Sequence, residues 1–286
     1  MLSVRHLRIR FSLEGRVSVP VRDVSFDVPD NSRVALVGES GCGKSLTALS
    51  LGSLVDHAEI SGEIIGNDRL AYVFQNPMQS LNPVMRVGRQ LGEVAQREEV
   101  LGLLAAVGLP AGTERKYPCE LSGGQQQRVM IAMALAEKPK VLIADEPTTA
   151  LDVTTQKEVL DLIMRIADER EMSVLLITHN LGLVACYSEF VNVMYAGEIV
   201  ESGLVREVLR NPGHPYTQGL LAAVPRLDAS KDAPLADIAG TVPPPWAWPK
   251  GCAFHPRCPF ARVECSSDDF NMLCEKSSHS SIRCIR

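Results

Sequence analysis

The chain has 286 residues, which is enough for one large α/β domain and an appended segment. Its 29 basic and 34 acidic residues give a formal net charge of −5, so the chain as a whole offers no general attraction for nucleic acid or anionic lipid. No apolar run is long enough to span a bilayer, and residues 1–10 alternate like a strand rather than like a signal peptide. We therefore expect a cytosolic protein with no nucleic-acid partner.

Two segments near the start alternate apolar and polar side chains. They are residues 2–11 and 21–28, and a period of two is typical of half-buried strands in an antiparallel pair. A short apolar run at residues 33–37 then predicts a buried strand, and residues 46–54 predict an apolar helix. The chain thus opens with a β-rich segment that leads into a strand, a loop and a helix.

The loop between that strand and that helix reads Gly-Glu-Ser-Gly-Cys-Gly-Lys-Ser at residues 38–45. Its Gly-x4-Gly-Lys-Ser spacing is that of a loop that wraps the phosphates of a nucleotide, because the glycines leave backbone N–H groups uncovered. Lys44 is placed as a charge for the β- and γ-phosphates, and the Ser45 hydroxyl is a Mg²⁺ ligand. The alternative is a glycine-rich turn that binds nothing, which the flanking strand and helix disfavour.

A second buried strand, predicted at residues 70–74, delivers Gln75 at its end. This glutamine either contacts Mg²⁺ and the attacking water or merely caps the strand, and sequence alone leaves both readings open. From residue 84 to residue 109 apolar side chains recur at three- and four-residue steps, which predicts a small helical subdomain.

Residues 121–125, Leu-Ser-Gly-Gly-Gln, precede a long helical pattern at residues 126–136. Ser122 is placed as the N-cap of this helix. A capped helix start with no bulky side chain in the way is a site for an anion, and the alternative is an ordinary cap.

The apolar run at residues 141–145 predicts a strand buried on both faces that ends in Asp145 and is followed by Glu146. Two adjacent carboxylates at a buried strand end are costly unless they serve a cation or a proton transfer. Asp145 suits Mg²⁺ bound through water, and Glu146 suits the positioning of a hydrolytic water. The alternative is a strand that simply finishes in acidic residues.

Three further elements complete the predicted sheet. A helix over residues 151–169 leads to a buried strand at 174–178, which delivers His179 as either a γ-phosphate sensor or an ordinary loop histidine. Residues 190–195 and 198–201 read as a hairpin. Because each buried strand is followed by a polar residue, we expect a parallel sheet with its ligands at one edge.

The cysteines are unevenly spread, since five of the eight crowd the last 35 residues. The isolated ones are Cys42, Cys119 and Cys186, and the crowded ones are Cys252, Cys258, Cys265, Cys274 and Cys284. In a reducing compartment such crowding favours a metal over disulfides, and so short a segment with few large apolar residues needs a staple. The intervals are wider than paired Cys-x2-Cys knuckles, so zinc and an iron–sulfur cluster both stay open.

Taken together, these stretches resemble the nucleotide-binding subunit of an ATP-binding-cassette (ABC) transporter. The resemblance implies an α/β P-loop fold with a mixed sheet core, an antiparallel β subdomain, a helical subdomain at about 76–136 and a small Cys-rich C-terminal module. It divides the chain into a nucleotide-binding domain at 1–225, a Pro-rich linker at 226–250 and a metal- or cluster-binding tail at 251–286.

The resemblance also assigns site residues. It implies that the catalytic residues are Glu146, His179, Gln75 and Lys44, and that the Mg²⁺ ligands are Ser45, Gln75 and Asp145. The nucleotide contacts that it implies are Phe11, Gly38, Ser40, Gly41, Cys42, Gly43, Lys44, Ser45, Leu46, Ser122, Gly123, Gly124, Gln125 and Asp152. In these terms Phe11 stacks on adenine, residues 121–125 are the signature sequence, residues 150–152 are the D-loop and His179 is the switch histidine.

A closer resemblance lies in residues 75–83, 214–221 and 251–259, which look like the oligopeptide, dipeptide and nickel importer branch. It implies import of peptides or of nickel and metal-chelate solutes, with two permease subunits, a second identical or homologous ATPase and, indirectly, an extracytoplasmic binding protein. The chain would then lie peripherally at the cytoplasmic face of the inner membrane. Residues 60–74 and 84–118 are shorter than is usual in this branch, so we expect a trimmed β-arm and helical subdomain.

This branch can carry a [4Fe–4S] cluster in its tail. The resemblance therefore favours such a cluster on Cys252, Cys258, Cys265 and Cys284, with Cys274 as a substitute for Cys284. The alternatives are a zinc site and unligated thiols in a disordered tail. Two other functional classes remain: an ABC ATPase that remodels a soluble complex, and a binding module with a dead site. The presence of Lys44, Asp145, Glu146 and His179 disfavours the dead site.

Overall fold

The computed structural model describes residues 1–13, 15–149, 151–224, 237–267, 274–277 and 280–285. Its strands are β1 (Leu2–Leu13), β2 (Arg16–Val28), β3 (Arg33–Val37), β4 (Ala58–Ile65), β5 (Leu70–Val73), β6 (Val141–Asp145), β7 (Ser173–Thr178), β8 (Phe190–Tyr195), β9 (Glu198–Leu204), β10 (Cys274–Ser277) and β11 (Ser280–Ile282). Its α-helices are α1 (Lys44–Leu51), α2 (Pro77–Ser80), α3 (Val87–Val94), α4 (Val100–Ala106), α5 (Gly123–Ala136), α6 (Val153–Glu169), α7 (Leu181–Tyr187), α8 (Val205–Arg210) and α9 (Pro215–Ala222). Short 3₁₀ helices lie at Thr113–Arg115, Pro118–Glu120, His255–Arg257 and Val263–Ser266.

The chain divides into two compact units, of which the first comprises Met1–Asp27, Arg33–Ile65 and Ile177–Arg286. Its strands lie in the order β4, β1, β2, β9, β8, β3. The β1–β4 and β8–β9 pairs are antiparallel, whereas the β3–β8 and β2–β9 pairs are parallel. The predicted mixed sheet is therefore confirmed.

The core of the first unit includes side chains from the tail. Phe254 is buried in one apolar cluster with Val37, Val193, Tyr195 and Tyr216. The short strand β11 pairs antiparallel with β9, and β10 pairs with β11. The described part of the tail thus packs on this unit, and it supplies apolar side chains that the sequence alone did not assign to its core.

The second unit comprises Val28–Ser32 and Gly66–Leu176. Strands β5 and β6 pair in parallel, with Val73 opposite Ala144, and β7 lies next to β6. Helices α5 and α6 contact each other and bury long apolar faces, which consist of alanine, valine, methionine, leucine and isoleucine side chains. This unit holds the helical part of the fold that the sequence predicted.

Several element boundaries differ from the predictions. The helical pattern at residues 84–109 forms two helices, α3 and α4, because residues 96–99 are all polar and have no apolar side chain to bury. Helix α1 ends at Leu51, with Gly52 as its C-cap, rather than at the predicted residue 54. Strand β4 and helices α7 to α9 were not predicted; most side chains of β4 are exposed, and the three helices have only six to eight residues each.

Some predicted features lie outside the described residues. They include Ala150 of the D-loop, residues 226–236 of the linker, residues 268–273 of the tail and the side chain of Cys274.

Candidate functional site

The phosphate loop of the first unit has the backbone shape that its glycines allow. Gly43 caps helix α1 in the left-handed region, with φ of 104°. A Cβ at this position would also lie 2.7 Å from the carbonyl oxygen of Pro20, so glycine is required on both counts. The helix begins at Lys44, which directs its first N–H groups toward the loop.

Lys44 is buried, and its ammonium lies on the loop itself. The Nζ atom donates to the carbonyl oxygens of Gly38 at 2.8 Å and Glu39 at 3.0 Å. The side chains on the outer side of the loop, at Ser40 and Ser45, are exposed. The loop therefore holds one buried charge and presents small hydroxyls to solvent, which suits a polyphosphate and a cation.

Cys42 of the same loop is fully buried, and burial raises the pKa of its thiol. It packs as a small apolar side chain. The loop in turn places Leu46 half-buried on helix α1.

Two other predicted residues belong to the first unit. His179 is exposed and directly follows β7, and the next residue, Asn180, caps helix α7 by accepting a hydrogen bond from the N–H of Gly182 at 2.8 Å. Phe11 is half-buried on β1, opposite Ala58 of β4. Its contact with adenine therefore stays a prediction.

In the second unit the parallel pairing of β5 and β6 brings Gln75 close to Glu146. The Gln75 Nε2 atom donates to Oε2 of Glu146 at 3.3 Å, and the Thr149 hydroxyl donates to the same oxygen at 2.9 Å. Glu146 has φ of 44°, which is strained for a residue with a Cβ. Asp145, half-buried, ends β6 one residue earlier. Three of the predicted residues, Gln75, Asp145 and Glu146, thus lie together at the carboxyl ends of β5 and β6.

The start of helix α5 has the predicted cap. The Ser122 hydroxyl accepts from the N–H of Gln125 at 3.3 Å, and Gln125 Oε1 accepts from the N–H of Ser122 at 3.1 Å. This reciprocal capping box stands at a helix start where Ser122 and Gly123 are exposed and Gly124 is buried. Such a start is suited to an anion.

Asp152 serves helix α6 as its N-cap. Its Oδ1 atom accepts from the N–H groups of Thr154 and Thr155, at 3.1 and 3.0 Å, and Oδ2 accepts from the Thr155 hydroxyl at 2.7 Å. The hydrogen bond from that hydroxyl lowers the pKa of Asp152. The structure therefore gives Asp152 a capping role beside its predicted contact with nucleotide.

The tail brings four predicted thiols to one small cavity. Its lining includes Cys252, Cys258, Cys265 and Cys284, and its volume of about 20 Å³ is room for about one water molecule. Burial, and to a smaller extent the neighbouring thiols, raise the pKa of Cys252 to about 11. Within the described part of the chain, no group of three or more His, Cys, Asp or Glu side chains is arranged to hold a metal ion.

Sequence reasoning missed three side chains that fix the site residues. Thr149 holds Glu146, as described above, while Tyr216 and Arg257 both contact Glu39 of the phosphate loop. A signal was available for two of them, because Tyr216 and Arg257 lie in segments 214–221 and 251–259, which carry the closer resemblance. No local pattern pointed to their partner.

Solved structures share this fold. A dimeric ATP-binding cassette, MJ0796, in a post-hydrolysis state bound to ADP and Pi has a TM-score of 0.63 and 25% identity, over 72% of this chain and 99% of that one. The protein cbiO1 from Clostridium perfringens, part of the ABC transporter complex cbiONQ, has a TM-score of 0.64 and 25% identity, over 73% of this chain and 90% of that one.

Family models match two parts of the chain. Residues 21–149 match the family described as ABC transporter, and residues 200–265 match the family described as oligopeptide/dipeptide transporter, C-terminal region. A curated relative from Brucella ovis is 46% identical, over all of this chain and 97% of the relative. The chain therefore belongs to the ABC transporter family, and it is an ATPase of that family.

The relatives point to one branch. The protein from Brucella ovis is provisionally named a peptide import ATP-binding protein, and so is one from Brucella abortus that is 42% identical over 93% of this chain and 89% of the relative. The alignment with the first relative spans 329 positions, which is longer than this chain, so that relative carries residues that are lacking here. In the described residues, no helix is long and apolar enough to cross a membrane.

Proposed function

We propose that this chain is the ATP-hydrolysing subunit of an importer for peptides or for nickel and metal-chelate solutes. Support for the import part comes from the match of residues 200–265 and from the names of the relatives. The hydrolytic part rests on one observation above all: the Glu146 carboxylate is fixed by donors from Gln75 and Thr149 at the end of a buried strand.

The loop of the first unit fits the phosphates of ATP. Its glycine backbone leaves N–H groups uncovered, and Lys44, now hydrogen-bonded to two carbonyls of its own loop, can transfer those bonds to phosphate oxygens. Phe11 is assigned to adenine. The remaining nucleotide contacts are assigned to Gly38, Ser40, Gly41, Cys42, Gly43, Ser45 and Leu46.

Ser45, Gln75 and Asp145 would hold Mg²⁺, since hydroxyl, amide and carboxylate oxygens are the ligands that this ion prefers. When bound, the ion supplies positive charge to the phosphates. Gln75 and Thr149 orient Glu146 so that the carboxylate can accept a proton from the attacking water, and His179 is assigned to the γ-phosphate.

Replacing Glu146 by Gln tests the assignment. The amide keeps the size of the side chain but cannot accept the proton, so we expect phosphate release to fall by at least about 100-fold. Binding of MgATP should persist, and the variant should form an ATP-dependent dimer, because the phosphate contacts are unchanged. Steady-state phosphate release, nucleotide titration and size-exclusion chromatography measure these three properties on the full chain.

Two variants frame this experiment. Glu98→Gln removes an exposed carboxylate between α3 and α4 and should hydrolyse ATP like the wild type. Lys44→Ala should lose MgATP binding, which E146Q retains. Wild-type turnover in E146Q would refute the catalytic assignment of Glu146.

The partners follow from the same branch. We assign the capped helix start at Ser122–Gln125 and the neighbouring Asp152 to the ATP of a second, identical or homologous ATPase. Two permease subunits would carry the solute, with an extracytoplasmic binding protein acting indirectly, and the chain would sit at the cytoplasmic face of the inner membrane. Co-purification with membrane permeases, rather than with a soluble complex, separates import from the remodelling alternative.

We keep the division of the chain into 1–225, 226–250 and 251–286 as part of this proposal, with the tail as the place of a [4Fe–4S] cluster. The chemistry of the donor set supports this proposal, because four thiols line one cavity and thiolates are the usual ligands of such clusters, although these side chains are not arranged around an ion in the structure. Cys252, Cys258, Cys265 and Cys284 would hold the cluster, with Cys274 as the substitute for Cys284. Zinc is the second candidate, since thiolates bind it as well.

Metal analysis decides between the two. After anaerobic purification we expect about four irons and four sulfides per chain and a brown colour that is lost in Cys258→Ser, because one thiolate ligand is removed. Cys186→Ser, at an exposed cysteine on α7, is the matched control and should stay brown. Stoichiometric zinc without iron would rule out the cluster.

A further inference from the structure

The guanidinium of Arg257, in the tail, forms an ion pair with Glu39 of the phosphate loop. Its Nη1 atom lies 2.8 Å from Oε2 of Glu39, and its Nη2 atom lies 3.1 Å from Oε1, so the two groups meet at two points. The Arg257 side chain is only 5% exposed. A charge this deeply buried persists only when it is paired and fully hydrogen-bonded.

The surroundings of Arg257 satisfy every donor that an arginine has. Besides the two bonds to Glu39, its Nε atom donates to the carbonyl of Ala239 at 2.9 Å, and Nη2 also donates to the carbonyl of Ile238 at 2.9 Å. The fifth N–H, on Nη1, lies 3.4 Å from the hydroxyl of Tyr195, over whose ring the guanidinium also stands. A lysine has three donors on one atom and cannot reproduce this fork.

Glu39 is also fixed through its backbone. Its N–H donates to the hydroxyl of Tyr216 at 2.8 Å, and its carbonyl accepts from the ammonium of Lys44 at 3.0 Å. One residue of the phosphate loop is thus held by α9, by the tail and by the lysine of the loop. Of these three contacts, only the one from Arg257 reaches the carboxylate itself.

A short turn of the tail positions Arg257 next to Glu39. Arg257 ends the 3₁₀ turn His255–Arg257, which lies between Cys252 and Cys258. Just before the turn, Phe254 packs on Tyr195 and Tyr216, with ring centroids 5.2 and 5.4 Å apart. The aromatic cluster therefore anchors the turn against the same loop that the guanidinium contacts.

We propose that Arg257 is a positioning residue for ATP binding, which neutralises the Glu39 carboxylate and holds it away from the phosphates. Without Arg257 a free carboxylate would stand on the loop that must accept a polyanion, and like charges repel. The inference rests on the proposed ATP site at residues 38–45, and it adds a residue of the tail to the requirements of that site.

A comparison of Arg257→Gln with the double variant Arg257→Gln/Glu39→Gln tests the proposal on the full chain, with MgATP as the titrated ligand. We expect R257Q to bind MgATP about tenfold more weakly, because the carboxylate is uncompensated. The double variant and Glu39→Gln alone should bind within about threefold of the wild type, because the charge is gone. The defect of R257Q relative to wild type should shrink as salt is raised, since salt screens the repulsion.

Controls separate this role from a general loss of structure. Arg5→Gln removes another arginine–carboxylate pair of the same unit, Arg5 with Asp27 at 2.8 Å, and should bind MgATP like the wild type. A double variant as weak as R257Q, or a defect independent of salt, would overturn the proposal. If R257Q does not fold, Arg257→Lys keeps the charge and should bind within about threefold of wild type, so a tenfold loss in folded R257K also overturns it.

Lys44→Ala distinguishes the two levels of the argument. If that variant binds MgATP normally, the proposed site itself is wrong. If it loses binding while R257Q binds like the wild type, the site stands and the role of Arg257 falls.

Discussion

His214 is a buried residue whose neutral ring caps the helix that follows it, so protonation of the ring would remove that cap. The ring Nδ1 atom of His214 accepts a hydrogen bond from the backbone N–H of Tyr216 at 3.1 Å and so caps helix α9. The backbone N–H of His214 donates to Oε2 of Glu201 at 3.0 Å. Burial lowers the pKa of His214 to about 4. The neutral ring is therefore the form that the fold requires, because a protonated Nδ1 could no longer accept the hydrogen bond.

This residue should make the stability of the first unit depend on pH. Below about pH 6.5 the unfolded chain binds a proton that folded His214 does not accept until about pH 4, so the free energy of unfolding falls as pH falls through that window. From about pH 7.5 to about pH 5 the contribution is on the order of 2 kcal/mol. His214→Asn keeps a capping oxygen but does not titrate, and urea unfolding at both pH values should show a smaller loss.

His57→Asn is the matched control, since His57 is exposed at a left-handed position that Asn tolerates. It should lose stability on acidification as the wild type does. An unchanged pH dependence in H214N would contradict the assignment of this effect to His214.

At the scale of elements, the contact between α5 and α6 depends on one glycine. A Cβ at Gly124 would lie 2.6 Å from Cγ2 of Thr155, so the start of α5 approaches α6 closely. In α4, by contrast, a Cβ at Gly102 would meet no atom within 4 Å. The same substitution therefore has opposite consequences in two helices of one unit.

We expect Gly124→Ala to lower the free energy of unfolding by about 1–3 kcal/mol, because one helix must shift to admit the methyl group. Gly102→Ala should raise it by about 0.5–1 kcal/mol, since alanine is the better helix former. Chemical unfolding of the two variants beside the wild type measures both shifts. Shifts of the same sign would show that the helix contact does not restrict Gly124.

The helices and strands differ in how well their local sequence predicts them. Helix α5 follows the predicted cap Ser122 directly, because a cap is a hydrogen bond between residues two or three positions apart, whereas α6 begins at Val153, two residues after its predicted start, with Asp152 as its N-cap. Helices α3 and α4 read as one helical pattern, since the polar residues between them still fit a helix surface. Strand β4 escaped prediction although Ala58, Ile60 and Ile64 alternate with polar residues, and most of its side chains are exposed.

At the scale of the whole molecule, two compact units divide the predicted ATP residues between them. The first holds the phosphate loop and His179, and the second holds Gln75, Asp145 and Glu146. The described part of the tail belongs to the first unit, because β11 pairs antiparallel with β9 and Phe254 is buried with Tyr195 and Tyr216. The described part of the tail and the phosphate loop thus belong to one compact unit.

The sequence by itself determined the phosphate loop at residues 38–45, the acidic strand end at Asp145 and Glu146, and the helix cap at Ser122. Each of these depends on backbone conformation and hydrogen bonds among neighbouring residues, which local sequence encodes. Only the tertiary structure decided that Arg257 meets Glu39, 218 positions earlier, that Tyr216 binds the same residue, and that four thiols line one cavity. Such contacts depend on how distant segments pack together, and no local period or spacing records that.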